Sequence, residues 1–346
     1  MIDFSRAELT HFTTHYVGNK GLGEVLEINP EEVKFLDDFT KETLLMYLVS
    51  SFKTDIYYEF KSKNELSVHD IHSYVSDLFD NRDEFLEYSK KFAEHLYNQS
   101  MHPKIKGGEF YTCYFKDCVV DGELCDAIGI FKTENKDTYM KVNQNFQIEC
   151  DNGINVKKVD KGCLIFNTDK DKGYKISVVD NNNKIAECSL YWLEDFLNVK
   201  LKQNAYYHTS NFINTCVGFC EEVLTEQNNV SKENQMMMLN KSVSYFKEKD
   251  KVNVAEFESE VLVEPEVKKS FEEYRNEYKH RMDVNIVDEF DVSPTAVKNN
   301  QKHMRSIIKL DKNFVLNIHG RHDYVERGFD EEKGMKYYKV YFVNEQ

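Results

Sequence analysis

The chain has 346 residues, of which 41% are apolar and 13% aromatic, so it can bury a sizeable core in about two domains. It contains 14 glycines and 4 prolines, which excludes collagen-like, linker-rich and proline-rich classes. The net charge of −15 argues against a broad surface that coats a polyanion without specificity.

No apolar stretch approaches the length of a membrane helix. The longest one, 44–49, is far shorter than the ~20 residues that span a bilayer. The N-terminus also lacks a basic region followed by a long apolar one, which is the pattern of a secretory signal peptide. We therefore expect a cytoplasmic protein with no membrane partner.

The N-terminal third is expected to form one strand and three helices. The strand covers 7–17. Asn29 as N-cap, Pro30 at the first helical position and Glu32 predict a helix that runs to Phe52. Two further helices, one starting after Ser67 and one over 82–100, have apolar residues at the spacing that buries a single helical face; in the first these are Ile71, Tyr74, Val75, Leu78 and Phe79.

The middle of the chain has the pattern of antiparallel strands. Asp121-Gly122 lies between two apolar runs, which is a strong signal for a two-residue hairpin turn. Turns are also predicted at Asp151-Asn152-Gly153 and at Lys172-Gly173. This meander disfavours a dinucleotide-binding fold, and neither GxGxxG nor a Walker motif is present.

Helical spacing returns over 190–226 and again over 264–281. Ser293 followed by Pro294 predicts a short helix to about His303. Strands are expected at the end of the chain, over 305–310, 313–319 and 336–343.

These elements predict an α+β protein, in which N-terminal helices pack with a central antiparallel sheet and a smaller α+β section follows. The expected domains are 1–226, a polar connecting region 227–263, and a C-terminal α+β section 264–346 with a basic face. Residues 298–346 carry ten Lys or Arg and seven Asp or Glu, while the preceding part has a net charge of −18.

A polyanion site is therefore expected near the C-terminus. Its candidate phosphate-binding residues are Lys298, Lys302, Arg305, Arg321, Arg327, Lys336 and Lys339. The first three would share a helical face at i, i+4 and i+7, while the last two alternate with tyrosines that can stack on bases. A solvated face with a lysine-protected edge strand is the more common explanation for such spacing.

Metal and thiol chemistry have weaker signals. Cys216 and Cys220 at i, i+4, with His208 nearby, could begin a zinc site, but they share a face with core residues. His319, His322 and Asp323 could be turn ligands, although ordinary surface roles are more common. No pair of the eight cysteines has CxxC spacing, which favours reduced structural thiols. We expect no metal and no cofactor.

Two segments could act on phosphates. Asp126 followed by Glu134-Asn135-Lys136 has the order of a metal-dependent nuclease, although chance is the better explanation in so charged a chain. Gly107-Gly108 after Lys104 and Lys106 could present backbone N–H groups to an anion. A strand start that requires unusual backbone angles is the favoured alternative for the two glycines.

Several segments together resemble the bacterial 37-kDa nucleoid-associated protein family. They occur in family order and extend from about residue 2 to residue 343. The segments are HYVGNKG (15–21), HPKIKGGEFYTCYF (102–115), DAIGIFKTENKDTYMKV (126–142), KGCLIFNTDKDKGYKISVVDN (161–181), YWLEDFL (191–197), FDVSPTAVKN (290–299) and IIKLDKNFVLNIHG (307–320).

The resemblance implies a cytoplasmic protein of the bacterial nucleoid that binds double-stranded DNA with little sequence preference and serves chromosome organisation. It supplies no catalytic residues and no agreed set of DNA contacts. An adaptor that recruits proteins acting on DNA is the alternative suggested by the acidic charge, and the nuclease is a more remote one. A homodimer is compatible with the general preference for twofold oligomers.

Overall fold

The computed structural model describes residues 2–35, 37–61, 69–181, 191–225, 230, 232–262, 264–301, 306–310, 312–318 and 324–344. The chain divides into two compact units, Met1–Lys202 and Gln203–Gln346. The sequence suggested a first domain that extends to residue 226 instead. We call the two units the N-terminal unit and the C-terminal unit.

Within the described residues, the N-terminal unit is built on an antiparallel sheet of nine strands, which confirms the α+β class. Its path is β11-β4-β10-β9-β6-β5-β2-β3, and β1 pairs with β5. The strands are β1 (Ile2–Asp3), β2 (Glu8–Val17), β3 (Leu26–Glu27), β4 (Tyr58–Phe60), β5 (Gly108–Val120), β6 (Glu123–Thr133), β9 (Lys161–Phe166), β10 (Lys175–Asp180) and β11 (Val199–Leu201). A separate hairpin joins β7 (Asp137–Val142) to β8 (Ile148–Gly153).

Helices cover both faces of this sheet. The helices are α1 (Asp38–Val49), α2 (Asp70–Asp80), α3 (Phe85–Gln99) and a π-helical turn, Tyr191–Phe196. Ile128 and Ile130 of β6 belong to the core shared with α2 and α3, whereas Ala127 and Phe131 belong to the core shared with α1. Because successive strand residues point to opposite faces, burial of both faces explains the continuous apolar runs in the sequence.

Two of the predicted hairpins are confirmed. Asp121 and Gly122 have φ angles of 52° and 86°, and Val120 pairs with Glu123 across them. Gly173, with φ of 88°, lies between the antiparallel strands β9 and β10. Both turns use backbone conformations that glycine adopts without steric cost.

Two local predictions in this unit are wrong. Helix α1 begins at Asp38, because the Asp37 carboxylate accepts a hydrogen bond from the Thr40 N–H at 2.7 Å; Asn29 instead forms a local turn with Glu31. The predicted turn at 151–153 lies in β8. The chain reverses before it, where Asn143 accepts hydrogen bonds from later backbone amides.

The C-terminal unit is mainly helical, with short two-stranded sheets. Its helices are α4 (Ala205–Glu222), α5 (Lys232–Glu248), α6 (Val254–Val261), α7 (Pro265–Arg281) and α8 (Pro294–Asn300). Its strands are β12 (Lys251–Asn253), β13 (Glu289–Asp291), β14 (Ser306–Leu310), β15 (Phe314–Ile318), β16 (Val325–Asp330) and β17 (Met335–Val340). No described helix is long and apolar enough to cross a bilayer.

The region 227–263, expected to be a polar connection, contributes helices α5 and α6 to the core of this unit. Met238, Phe246 and Phe257 are buried there, and Phe212 of α4 contacts the Phe257 ring edge-on at 5.1 Å between centroids. The average composition of this segment is polar, but it contains a few large apolar side chains at helical spacing. These side chains are sufficient to bury one face of each helix.

Candidate nucleic-acid interface

The last two strands form an isolated two-stranded ribbon, which we call the C-terminal ribbon (Val325–Val340). In the part of the chain that the structure describes, β16 and β17 pair only with each other. Gly334, with φ of 63°, lies in the turn that joins them. The sequence predicted β17 but not β16, because the charged segment before it lacks an apolar run.

The ribbon separates the two lysines that the sequence grouped together. Arg327 lies opposite Tyr338, and Lys336 lies opposite Phe329, so these four side chains share one face. Lys339 lies opposite Glu326 on the other face. Since side chains alternate along a strand, residues three positions apart point in opposite directions. Arg327 and Lys336 are therefore the two basic residues that share a face of the ribbon.

Lys339 has a partly compensated environment. Its Nζ lies 4.9 Å from the centroid of the Tyr341 ring, and a hydrogen bond with that residue raises the pKa of Lys339. The Tyr341 hydroxyl donates to Glu326 Oε2 at 2.9 Å, which places a carboxylate in the same cluster. Lys339 stays charged, but a neighbouring negative charge offsets part of its field.

The tip of the ribbon is acidic. Asp330, Glu331 and Glu332 occur in succession there, and Asp330 accepts a hydrogen bond from the Lys333 backbone amide at 3.0 Å. A polyanion would be repelled from this tip and attracted to the Arg327–Lys336 face. The charge of the ribbon therefore differs between its tip and its strands, as well as between its two faces.

The remaining nominated residues lie upstream. Lys298 is exposed on α8, whose N-cap Ser293 accepts a hydrogen bond from the Ala296 amide at 3.2 Å, as predicted. The helix ends at Asn300, three residues before the predicted end. The other nominated residues, Lys302, Arg305 and Arg321, lie outside the described residues, so their place in a basic surface stays a prediction.

The cysteine candidates for a metal site are core residues. Cys216 and Cys220 are fully buried on α4, and the Cys220 thiol contacts Met238 Sδ at 3.4 Å. Burial raises the pKa of Cys220 to about 12 and that of Cys216 well above its usual value, so both thiols stay protonated at neutral pH. His319, His322 and Asp323 lie outside the described residues.

The nuclease arrangement is wrong. Asp126 lies on β6. It accepts a hydrogen bond from the Tyr114 hydroxyl at 2.8 Å and forms an ion pair with Arg82 at 3.0 Å. Glu134 follows the far end of the same strand. Eight residues of extended chain separate the two carboxylates by roughly 26 Å, which is too far to hold one metal ion. Lys136 instead pairs with Glu109 at 2.5 Å.

The two glycines of the phosphate-loop candidate are explained by close packing rather than by unusual backbone angles. Neither has a positive φ. A Cβ atom on Gly108 would lie 1.9 Å from the Thr133 carbonyl oxygen, and one on Gly107 would lie 2.7 Å from Glu24 and Tyr16 side-chain atoms. Lys106 from the same segment donates to Asn135 Oδ1 at 2.7 Å.

The comparisons with known proteins agree with the resemblance seen in the sequence. A family model described as nucleoid-associated protein YejK matches residues 14–333. No curated protein matches the chain. Because the match covers nearly the whole length and both units, this chain belongs to the nucleoid-associated protein YejK family.

Proposed function

We propose that this nucleoid-associated protein binds double-stranded DNA directly, without enzymatic activity and with little sequence preference. Its contacts would come from the localised basic surface of the C-terminal unit. The observation that carries the proposal is the ribbon face on which Arg327 and Lys336 flank Tyr338. The seven nominated residues are Lys298, Lys302, Arg305, Arg321, Arg327, Lys336 and Lys339.

The shape of the ribbon supports this assignment. The major groove of B-DNA admits a two-stranded β-ribbon, and basic side chains on one ribbon face can reach the phosphates that border the groove. Arg327 supplies a planar fork of donors and Lys336 a compact charge, both of which suit phosphate oxygens. Tyr338 is next to both of them, directly opposite Arg327 and two residues from Lys336, where its ring can pack on a sugar.

The overall acidity limits the affinity that this surface can reach. With a net charge of −15, the rest of the protein repels DNA, so binding depends on a few phosphate contacts and weakens steeply with salt. A homodimer in the cytoplasm, with two ribbons on one duplex, would raise the affinity through avidity and forms part of the proposal.

A charge-reversal variant tests the location of the interface. Lys298→Glu, Arg327→Glu and Lys336→Glu combined should weaken duplex binding at least tenfold, measured by fluorescence anisotropy. The control variant carries Lys53→Glu, Lys157→Glu and Lys269→Glu, which change the net charge equally at exposed positions elsewhere. Equal losses in both variants would mean that only the overall charge matters and would remove the proposed interface.

The exposed apolar side chains of the ribbon support an adaptor as the second candidate. Phe329, Met335 and Val340 are 58%, 60% and 49% exposed. Such side chains on a monomer often mark a protein interface. If the protein retains DNA-handling proteins after nuclease treatment, and the Phe329→Ser variant does not, the adaptor would be favoured.

A separate assay addresses nuclease activity. Plasmid that stays supercoiled with the protein and Mg²⁺ or Mn²⁺ would support the absence of nuclease activity.

A further inference from the structure

A polar cavity lies at one end of the central sheet in the N-terminal unit. Strands β5 and β9 begin there, and strands β6 and β10 end there. The cavity has a volume of about 550 Å³, which falls within the range of roughly 300–1,000 Å³ typical of small-molecule sites. We call it the sheet-end cavity. It lies on a different unit from the C-terminal ribbon.

The floor of the cavity contains a buried ammonium group with unused donors. Lys161 is 3% exposed, and its Nζ pairs with Asp180 Oδ2 at 2.8 Å. It also lies 5.2 Å from the centroid of the Tyr191 ring. An ammonium group has three N–H donors. Among the described residues Asp180 is its single acceptor, so Lys161 has donors left for a molecule in the cavity.

One wall is fixed by Asp160, which is 5% exposed. Its carboxylate accepts hydrogen bonds from the backbone amides of Glu134 and Asn135, each at 2.8 Å. It also accepts from the Asn135 side-chain amide at 3.2 Å. These three bonds hold the chain after β6 in one conformation. They also occupy the carboxylate, which is then a poor ligand for a cation.

Two further carboxylates line the cavity, Glu134 and Asp137, and both are likewise occupied; Asp137 accepts a hydrogen bond from the Asn155 side-chain amide at 2.7 Å. Glu134 Oε1 lies 3.3 Å from the Nζ of Lys132 and accepts a hydrogen bond from the Tyr191 hydroxyl at 2.7 Å. Lys132 is fully buried and also donates to the Lys106 carbonyl at 2.6 Å. Burial lowers the pKa of Lys132, and the ion pair with Glu134 opposes that shift. This cluster forms a rigid support beneath the cavity.

The rim adds the positive charges of Lys106 and Lys158, and it also carries the exposed carboxylate of Asp137. Lys106 Nζ donates to the neutral side-chain oxygen of Asn135, so it keeps its full charge at the mouth. Lys158 also lines the cavity, is exposed, and has no acidic partner among the described residues. Asn181 uses its amide N–H to reach the Val159 carbonyl at 2.7 Å, which leaves its side-chain oxygen as an acceptor at the cavity.

We propose that the sheet-end cavity binds a phosphorylated small molecule of nucleotide size. Lys161 contacts the phosphoryl group from the floor, and Lys106 and Lys158 contact it from the rim. The oxygen of Asn181 accepts a hydrogen bond from a donor group on the rest of the ligand. A cation is disfavoured because the lining carboxylates Asp160, Glu134 and Asp137 already accept hydrogen bonds. The phosphoryl group could belong to a free nucleotide or to the end of a DNA strand.

The test is isothermal titration calorimetry of the full chain with the four ribonucleoside monophosphates, their unphosphorylated nucleosides and inorganic phosphate. At least one monophosphate should bind with a stoichiometry of one per chain, and its nucleoside should bind at least tenfold more weakly. Lys161→Gln should lower the affinity for the monophosphate at least tenfold, because a charge-assisted contact is lost. Absence of saturable binding by every monophosphate would overturn the proposal.

Variants at the rim keep the test valid if Lys161→Gln unfolds. The double variant Lys106→Gln, Lys158→Gln should also lower the affinity for the monophosphate at least tenfold. The matched control, Lys53→Gln with Lys157→Gln, changes the same charge outside the cavity and should leave the affinity unchanged. Equal affinities in the rim variant and the control would overturn the proposal.

A 5′-phosphorylated oligonucleotide separates the two sources of the phosphoryl group. If it binds through the rim lysines while no monophosphate does, the cavity belongs to the DNA interface, and the small-molecule proposal fails. The Arg327→Glu, Lys336→Glu variant should bind the monophosphate as the unmodified protein does. Loss of DNA binding in that variant with intact nucleotide binding shows that the two sites are independent.

Discussion

The lysines of the sheet-end cavity and those of the C-terminal ribbon have the same chemistry in opposite surroundings. Lys132 and Lys161 are 0% and 3% exposed, and a carboxylate lies beside each of them. Lys336 is exposed on a strand that pairs with one neighbour. The two buried lysines are fixed by contacts on which the fold depends. The exposed Lys336 side chain can change conformation when a partner binds.

This difference decides how each region responds to substitution. A buried charge that loses its partner destabilises the fold strongly, because the desolvated group is left uncompensated. An exposed charge contributes little to stability but can dominate the attraction to a polyanion. The cavity should therefore be sensitive in unfolding experiments, and the ribbon in binding experiments.

The largest expected effect comes from breaking the buried pair of the cavity. Glu134→Ala leaves Lys132 charged and buried without its carboxylate. We expect the free energy of unfolding to fall by about 3–5 kcal/mol, measured by urea denaturation. Glu109→Ala removes a more exposed pair, that with Lys136, and should cost less than about 1 kcal/mol. Similar losses in both variants would contradict the assigned burial.

A pH titration should reveal a second buried polar group of the N-terminal unit. His15 Nδ1 accepts a hydrogen bond from the Asn29 amide at 3.0 Å, and its Nε2 lies 3.2 Å from Ser89 Oγ. Burial, with a smaller contribution from Lys90, lowers the pKa of His15 from 6.5 to about 4. His15 is therefore neutral in the folded protein at neutral pH.

Since the pKa is lower in the folded state, the stability that neutral His15 contributes is present above pH 6.5. It should be lost as the pH falls from 6.5 to about 4, by up to about 3 kcal/mol. Urea midpoints across this range should fall more steeply for the unmodified protein than for His15→Gln. Parallel curves for the two proteins would contradict a buried neutral His15.

A smaller effect is expected at the start of α8 in the C-terminal unit. Ser293→Ala removes the oxygen that caps the Ala296 amide and should cost about 1 kcal/mol of stability. Ser293→Thr keeps a hydroxyl and should lose less. A thermal unfolding series of the three proteins checks the order, and an alanine variant as stable as the serine protein would exclude a role for the cap.

The smallest effect on stability is expected at the ribbon. Lys336→Gln should change the free energy of unfolding by no more than about 0.5 kcal/mol, since Lys336 is exposed at the surface. The same variant should lose duplex affinity. A large drop in the urea midpoint would show that the Lys336 side chain supports the fold, as the buried lysines of the cavity do.

The sequence predicted the parts of this fold that local patterns control. Asp121-Gly122, Ser293-Pro294 and the apolar faces of α2 and α3 depend on neighbours in the chain, and each forms as expected. The start of α1 could not be predicted in this way, because Asn29 and Asp37 are both suitable caps and the local pattern does not distinguish them; in the structure Asp37 is the cap.

The sites were harder to predict than the elements. Asp160, Lys161 and Tyr191 are far from Lys106 and Asn135 in sequence and meet only through the order of strands β5, β6, β9 and β10. The sequence pattern suggested the segments around Lys106 and Glu134 separately, as a phosphate loop and as a nuclease motif. The structure brings them to the same cavity, where Lys106 contacts Asn135.

The most direct test of the central claim is the salt dependence of binding between the full-length protein and a labelled DNA duplex. With four to six of the nominated residues on phosphates, because Lys339 lies on the opposite ribbon face, the logarithm of the association constant should fall against the logarithm of salt with a slope of about −4 to −5. Absence of binding at low salt, or a slope near zero, would contradict direct contact with DNA through the C-terminal unit.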